Sequence, residues 1–397
     1  MNSSQADKSI SPAHRVTQVK EYYFSTKLKE IARLNQSGAG IISLAVGGPD
    51  LPPSREAIDT LCTEAARPGA HGYQPYTGLP VLRQAYAGWY RRYFGVDLNP
   101  SSDILPLIGS KEGIMHITMA FVNPGDGVLV PNPGYPTYSS VSRLAEAELF
   151  PYDLTPQNGW LPDFAQLEQL PLHKIKLMWV NYPNMPTGRP ATPELFRRLV
   201  DFGRRHGIVI ANDNPYSFIL NDNRISILAT PGAADVAIEL NSMSKSHNMP
   251  GWRMAMAASN PTFINWILKV KSNVDSGQFR PIMLAAAKAL EAGDDWYAGI
   301  NSEYASRRTQ AEAIMKALHC SFDTRQTGLF LWGRIPDGAA SSVAFADEVL
   351  KKAKVFIVPG VIFGSNGDRY VRISLCEPPA VLSAALQRIS SAQLSAF

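Results

Sequence analysis

Asn241-Ser-Met-Ser-Lys245-Ser-His-Asn-Met-Pro-Gly251-Trp-Arg253 sets a lysine between small hydroxyl residues and an arginine eight residues later, just past a Pro-Gly turn. The alternating apolar residues at 235–240 predict a buried strand that ends at these serines. A lysine at a strand end, beside hydroxyls and a second cation, suits two tasks: binding a phosphate and forming a Schiff base with a carbonyl compound. The ordinary alternative is an exposed lysine in a polar loop, because charged side chains mostly lie in water.

A second candidate anion site follows the predicted strand at 103–108, where Gly109-Ser110-Lys111-Glu-Gly113 opens a helix. The N–H groups of a first helical turn have no partner inside the helix, so a strand, a glycine turn and a helix start can bind an anion. The pattern is neither a complete GxGxxG motif nor a Walker loop. A capped helix start without a ligand is therefore the competing interpretation.

The third stretch is the short apolar strand predicted at 208–211, which leads to Asp213 and Tyr216. Such runs are typical of parallel sheets, where ligands bind at the carboxyl ends of the strands. A carboxylate there can pair with a protonated ring nitrogen and make that ring a stronger electron acceptor. A turn or helix-capping aspartate is the ordinary interpretation, and Lys245, one predicted strand later, favours the ligand site.

The order of predicted elements indicates an α/β chain. Strands at 41–46, 103–108, 127–131, 149–154, 175–181, 208–211, 235–240 and 254–259 are interspersed with helices. From about residue 297 the pattern changes to an α+β module, with a long helix at 304–319 and strands at 328–334, 355–358 and 370–374. We expect this module to pack with the N-terminal segment as a smaller domain.

Composition narrows the possible partners. The 397 residues are 45% hydrophobic, which is ample for a sizeable core. The net charge is only +4, without a run of five like charges, so no nucleic-acid partner is predicted. Three dispersed cysteines, Cys62, Cys320 and Cys376, argue against a disulfide framework and against a zinc site, and no metal is predicted. Without a signal-like or membrane-length apolar run, the expectation is a cytoplasmic protein that does not enter a membrane.

Four motifs resemble those of class I/II aminotransferases, the pyridoxal-phosphate (PLP) enzymes of fold type I. They are Ser-x-Ser-Lys with Gly-Trp-Arg at 242–253, Tyr-x-Pro-x-x-Gly-x-Pro at 73–80, Met-Pro-Thr-Gly at 185–188 and Arg-x-Ser at 372–374, and the resemblance extends over about 42–372. It implies a doubly wound, mostly parallel mixed sheet in a large domain at 56–292. It also implies a smaller α+β domain at 19–55 and 293–397, after a mobile arm at 1–18.

The resemblance also implies the site. Lys245 would carry PLP as a Schiff base and move the proton, Asp213 would pair with the ring nitrogen, and Tyr216 with the ring hydroxyl. Substrate carboxylate would be bound by Arg372 beside Gly47. The remaining implied ligands hold the phosphate or the ring: Ser110, Lys111, Tyr135, Ser242, Ser244, Arg253 and, from the neighbouring subunit of a homodimer, Tyr73. Tyr138 is an alternative to Tyr135 as the stacking ring, and Arg280 has no predicted role.

One position departs from the family pattern. The family's Asn-Pro-Thr-Gly asparagine is Met185 here, and a thioether cannot donate a hydrogen bond. We expect either that Asn184 takes over through a shifted turn or that this contact is missing.

The resemblance implies transfer of an amino group between an amino acid and a 2-oxo acid. Two alternatives stay open at this point: a related PLP lyase, decarboxylase or oxidase, which the Met185 departure leaves room for, and a non-catalytic binding protein of the same fold. The sequence does not specify the substrate side chain.

Overall fold

The structure, a computed structural model, describes residues 10–19 and 23–394. The strands are β1 (Ile42–Ser43), β2 (Ile104–Leu107), β3 (Gly127–Asn132), β4 (Glu148–Asp153), β5 (Ile175–Val180), β6 (Val209–Asp213), β7 (Ala237–Ser242), β8 (Ala255–Ala258), β9 (Phe330–Arg334), β10 (Val355–Phe356), β11 (Val358–Pro359) and β12 (Tyr370–Ser374).

The helices surround these strands and several have well-formed ends. Ser54 caps α3, Thr192 caps α8, and Gly207 ends α8 in the left-handed conformation. Their bounds are α1 (His14–Thr17), α2 (Tyr23–Gln36), α3 (Arg55–Ala65), α4 (Pro80–Phe94), α5 (Ser110–Phe121), α6 (Pro136–Leu144), α7 (Phe164–Leu167), α8 (Pro193–His206), α9 (Met243–Ser246), α10 (Pro261–Lys271), α11 (Arg280–Ala289), α12 (Asp294–Ala317), α13 (Ser342–Ala353) and α14 (Pro379–Ser391).

Seven strands form the central sheet in the order β2-β8-β7-β6-β5-β3-β4. Within it β8 is antiparallel to both β2 and β7, and the other neighbours pair in parallel. The carboxyl ends of β2, β3, β5, β6 and β7 therefore meet at one edge, together with the start of β8. In open sheets of this kind ligands bind at that edge.

Two small sheets lie outside the central one: β1 pairs with β10, and β11-β12-β9 form an antiparallel sheet. They share one hydrophobic core with α2, α12, α13 and α14. Residues from the central part of the chain, such as Met185 and Tyr216, also contact this core. The N- and C-terminal segments are thus packed together next to the edge of the central sheet.

The predicted elements are present, but several of their ends differ. The strand predicted at 41–46 is shorter, at Ile42–Ser43, although the next residue, Leu44, still donates its N–H to the carbonyl of Phe356. The helix predicted at 304–319 begins ten residues earlier, at Asp294, and ends at Ala317. Residues 1–9 of the predicted arm lie outside the described residues, and its described part contains α1. Among the described helices none is long and apolar enough to cross a membrane.

Candidate functional site

Most of the residues singled out in the sequence meet in one cavity of about 430 Å3 at the edge of the central sheet. Asp213 ends β6, Lys245 follows β7 and Arg253 precedes β8. The small sheets also contribute to the lining, through Phe330 of β9 and Arg372 of β12. The predicted residues that line the cavity are Gly47, Ser110, Lys111, Tyr135, Asp213, Tyr216, Ser242, Ser244, Lys245, Arg253 and Arg372.

Lys245 is partly buried on the short helix α9, and its Nζ donates a hydrogen bond to the carbonyl of Gly47. Burial lowers the pKa of Lys245, and the Arg372 and Arg253 guanidinium groups lower it further against the opposing effects of Cys376 and Asp213. A lysine whose pKa is lowered is more often a neutral amine, which is the nucleophilic and proton-accepting form.

Asp213 is buried, with one carboxylate oxygen engaged and the other unpaired. Tyr138 donates from its hydroxyl to Oδ2 at 3.0 Å, whereas Oδ1 has no hydrogen-bond partner. Burial raises the pKa of Asp213 to about 6, although the nearby hydroxyls of Tyr138 and Ser110 and the charge of Lys245 act in the opposite direction. A buried acceptor without a donor is costly unless a ligand supplies one.

This raised pKa predicts a pH-dependent stability for the cofactor-free protein. An acid whose folded pKa exceeds its unfolded value binds more protons when folded, so its contribution to stability falls as pH rises from about 4 through about 6. Asp213→Asn lacks this titration. We therefore expect its free energy of unfolding, relative to that of the parent, to increase by about 2 kcal/mol when the pH is raised from 4.5 to 7. Urea unfolding of both cofactor-free proteins at the two pH values tests this, and a pH-independent difference would contradict it.

One end of the cavity is suited to an anion. The N-terminus of α5 begins at Ser110 after Gly109, which has φ 83°. A Cβ on Gly109 would lie 1.9 Å from Nη2 of Arg253, so the guanidinium lies directly over this helix start. Lys111 also lines this end, and the Ser242 hydroxyl donates to that of Ser244 at 2.9 Å. Two cations, hydroxyls and a helix N-terminus together favour a phosphate group.

Arg372 lies in β12, 4% exposed, between two aromatic rings. Its guanidinium carbon is 3.8 Å from the ring centroid of Phe330 and 4.6 Å from that of Phe363. It donates to the carbonyl of Ala45 at 2.8 Å. A Cβ on Gly47 would lie 2.1 Å from Cζ of Phe330, so glycine there allows this ring to pack against Arg372. The rings orient a planar cation that can bind a carboxylate through two hydrogen bonds.

The turn at 181–188 places its residues differently from the expectation for Asn184. The side chain of Asn184 is used inside the turn, where it donates to the carbonyl of Asn181 and accepts from Thr187, and it does not line the cavity. Asn181 and Met185 line the cavity instead. Met185 Sδ is 3.2 Å from Nη1 of Arg372, which donates to it. The position where the family has an amide is thus occupied by a thioether in contact with the predicted carboxylate-binding arginine.

Two other residues singled out in the sequence lie outside the cavity. Tyr73 is 94% exposed on the loop before α4, so its side chain is on the surface of this chain. Arg280 begins α11 and is also exposed.

A second group of titratable residues lies behind the start of α5. Single ligand atoms of Glu112, His116 and Asp275 come within 4.8 Å of one another, a spacing that could suit a metal ion. Lys271 already supplies a positive charge there, since its Nζ contacts both Glu112 and Asp275. Glu112 also accepts from the N–H of Ile108 at 2.5 Å. The group therefore anchors the turn before α5 rather than offering a metal site.

Four cavity residues were not predicted for the roles they have here. Tyr138 was predicted only as an alternative stacking ring. Its ring packs against Trp179, 5.1 Å between centroids, which directs its hydroxyl to Asp213. The others are Asn181, Phe330 and Phe363.

Comparisons with known proteins cover nearly the whole chain. A family model described as aminotransferase class I and II matches residues 39–389. An LL-diaminopimelate aminotransferase of Dehalococcoides mccartyi is 39% identical over 379 residues, which are 95% of this chain and 97% of that protein.

Solved structures give the same picture. BacF of Bacillus subtilis superposes with a TM-score of 0.91 at 35% identity, covering 96% of this chain and 98% of that one. An aminotransferase of Staphylococcus aureus superposes with a TM-score of 0.87 at 30% identity, covering 96% and 98%.

Proposed function

We propose, given that this chain belongs to the class I and II aminotransferase family, specific roles for its residues in that family's reaction. The chain is a PLP-dependent aminotransferase of fold type I, which moves an amino group between an amino acid and a 2-oxo acid. One amino acid and one 2-oxo acid are consumed and one of each is formed, so no oxidant is needed. The predicted fold class is confirmed, and the alternative of a non-catalytic binding protein is set aside.

The residues of the cavity fit PLP at both of its polar ends. The unpaired Oδ1 of Asp213 offers an acceptor to a ring N–H. The α5 N-terminus with Lys111, Arg253, Ser110, Ser242 and Ser244 offers donors to a phosphate. When bound, PLP supplies an aldehyde that takes up the amino group and a ring that accepts electrons from the substrate Cα.

We assign the proton movements to Lys245. Its lowered pKa favours the neutral amine, which can accept the proton from substrate Cα and give a proton back to Cα when the amino group moves in the reverse direction. The carbonyl of Gly47, which also lines the cavity, accepts a hydrogen bond from Nζ. Tyr216 and Asn181 would orient the ring oxygen, and Tyr135 would cover the ring face and exclude water.

Arg372 is our candidate for the substrate carboxylate. Among the described cations that line the cavity, the other three already have proposed roles. Lys111 and Arg253 bind the phosphate, and Lys245 is the reacting amine. The position of Arg372 between Phe330 and Phe363 keeps the guanidinium plane oriented at little entropic cost.

The observation that carries these assignments is the convergence of Lys245 and Asp213 on one cavity from adjacent strands β7 and β6. A half-reaction tests it. An amino acid added alone should convert the bound cofactor stoichiometrically, with loss of its visible absorbance, and a 2-oxo acid should restore it. Continuous release of ammonia or CO2 without a 2-oxo acid would overturn this reading.

We further propose a homodimer in which Tyr73 reaches the phosphate of the neighbouring site. Tyr73, Tyr76 and Phe279 are large apolar side chains exposed on adjoining loops, since Gln74 and Gly277 form a β-bridge. Lys111 and Arg253 are exposed too, which leaves the phosphate end open to a second chain. Sedimentation equilibrium of the holoenzyme gives the mass, and a monomer would exclude this arrangement.

Domain boundaries and location are also proposals. The shared core of the N- and C-terminal segments supports a small domain of 19–55 and 293–397 against a large domain of 56–292. Cys62, Cys320 and Cys376 are free, which supports a reducing compartment such as the cytoplasm. Limited proteolysis and cell fractionation test the two proposals.

Met185 gives a prediction about substrate orientation. A thioether is a weak acceptor, so we expect Met185→Asn to strengthen the hydrogen bond from Arg372 and raise kcat/KM about 3- to 10-fold, the effect of one hydrogen bond of about 1 kcal/mol. Met185→Leu, which keeps the volume without the sulfur, should change kcat/KM less than about threefold. Steady-state kinetics of both variants checks this. A tenfold loss in Met185→Asn would mean that the thioether fills space the amide cannot.

A further inference from the structure

The part of the cavity that would receive the substrate side chain is apolar. Once the proposed phosphate ligands, ring contacts and carboxylate ligands are assigned, eight of the described lining residues are left, and none of their side chains carries a charge. Besides Ala45 and Pro215, they are Leu28, Val46, Met185, Pro250, Phe330 and Phe363.

Each charged side chain among the described residues that line the cavity already has a proposed role. Of its cations, Lys111 and Arg253 lie at the phosphate end, Lys245 is the reacting amine and Arg372 faces the carboxylate. Asp213 is the only acidic residue among the described residues that line the cavity, and it serves the ring nitrogen. A substrate ammonium beyond Cα would therefore meet no carboxylate other than Asp213 among the described residues that line the cavity.

The loop of a second subunit that is proposed to enter the site would not supply an acidic partner for such an ammonium group. That loop, His71-Gly-Tyr-Gln-Pro-Tyr-Thr-Gly78, contains no acidic residue. Since Tyr73 is proposed to reach the phosphate, the loop would add the ring of Tyr76, which enlarges an apolar or aromatic surface. An ammonium group buried there would lose its hydration without gaining an opposite charge.

From this we infer that the amino-acid substrate has an uncharged apolar side chain, aromatic or aliphatic, in preference to a side chain ending in an ammonium group. The inference rests on the proposed roles of Lys245 and Arg372. It differs from what the name of the D. mccartyi relative suggests, because LL-diaminopimelate carries a second ammonium and a second carboxylate at its far end. A pocket without partners for such a group should disfavour it at least about 100-fold.

Two measurements on the holoenzyme test the inference. Single-turnover rates measured against amino-acid concentration give kcat/KM for the half-reaction. This kcat/KM should be at least about 100-fold higher for L-phenylalanine, L-leucine or L-methionine than for L-lysine or LL-diaminopimelate. Calorimetry should find that 3-phenylpropanoate, which cannot react, binds at least tenfold more tightly than 6-aminohexanoate. The reverse ranking in either measurement overturns the inference and leaves the aminotransferase assignment intact. Failure of every amino acid to react would instead overturn the proposed residue roles.

Leu28 provides a matched pair of variants, because it is half-buried on α2 and its replacement leaves the predicted catalytic groups in place. We expect Leu28→Glu to raise the L-lysine to L-leucine ratio of kcat/KM at least fivefold above that of Leu28→Gln. Both variants make the site more polar, so only the added charge distinguishes them. Equal ratios in the two variants would overturn the placement of the side-chain subsite at Leu28.

Discussion

Lys245→Ala is expected to lower kcat at least about 10^4-fold and to remove the visible absorbance of the lysine-bound cofactor. The variant loses both the covalent attachment and the group proposed to carry the proton, and general acid–base catalysis alone contributes about 10^2- to 10^4-fold. Absorbance spectra after adding PLP and single-turnover rates with an amino acid measure the two losses separately.

Lys111→Ala is the matched control, because it removes another lysine from the same cavity. It should weaken cofactor binding and keep the visible band at saturating PLP. Small amines such as methylamine should partly restore the rate of Lys245→Ala, since they can enter the space left by the side chain and accept the proton. A visible band of unchanged position and intensity in Lys245→Ala would contradict the assignment.

The positions of Lys245, Asp213 and Ser110 could be predicted because they depend on strand order alone. Each follows or ends a buried strand, and parallel strands bring their carboxyl ends to one edge whatever the connecting loops do. Arg253 reaches the same edge because β8 runs in the opposite direction and begins there.

The turn after β5 could not be predicted in the same way. Which of Asn181, Asn184 and Met185 faces the cavity depends on the backbone path through a proline-rich turn, and periodicity contains no information about that path. Asn184 forms three hydrogen bonds within the turn, with Asn181 and Thr187, so its side chain is not available to a ligand. Asn181 in turn donates to the carbonyl of Asp213.

Contacts between distant parts of the chain could not be predicted from the sequence either. Glu239 reads as an ordinary strand residue, yet it is fully buried and accepts from Tyr90, Asn212 and Ser226, each from a different element. Phe330 and Phe363 flank Arg372 only because β9 pairs with β12 and the loop after β11 turns back over it. Such contacts arise from packing of elements whose separate patterns say nothing about each other.

Arg372→Leu is expected to lower kcat/KM for an amino acid about 10^3-fold, mainly through KM, while the cofactor spectrum stays near that of the parent. A carboxylate held by two charged hydrogen bonds loses about 1.5–3 kcal/mol for each. Arg372→Lys should recover about tenfold, because an ammonium restores the charge without the paired donor geometry.

The folding of the leucine variant should be affected mainly by loss of the hydrogen bond to the Ala45 carbonyl, because leucine is compatible with the rings of Phe330 and Phe363 and no charge is left buried without a partner. An amine without a carboxylate, such as 2-phenylethylamine, isolates the proposed role. It should react slowly with the parent and no more slowly with Arg372→Leu, since neither protein can use Arg372 to bind it. If Arg372→Leu slows this amine as much as it slows L-phenylalanine, then Arg372 acts on the reacting centre and the carboxylate must bind elsewhere in the cavity.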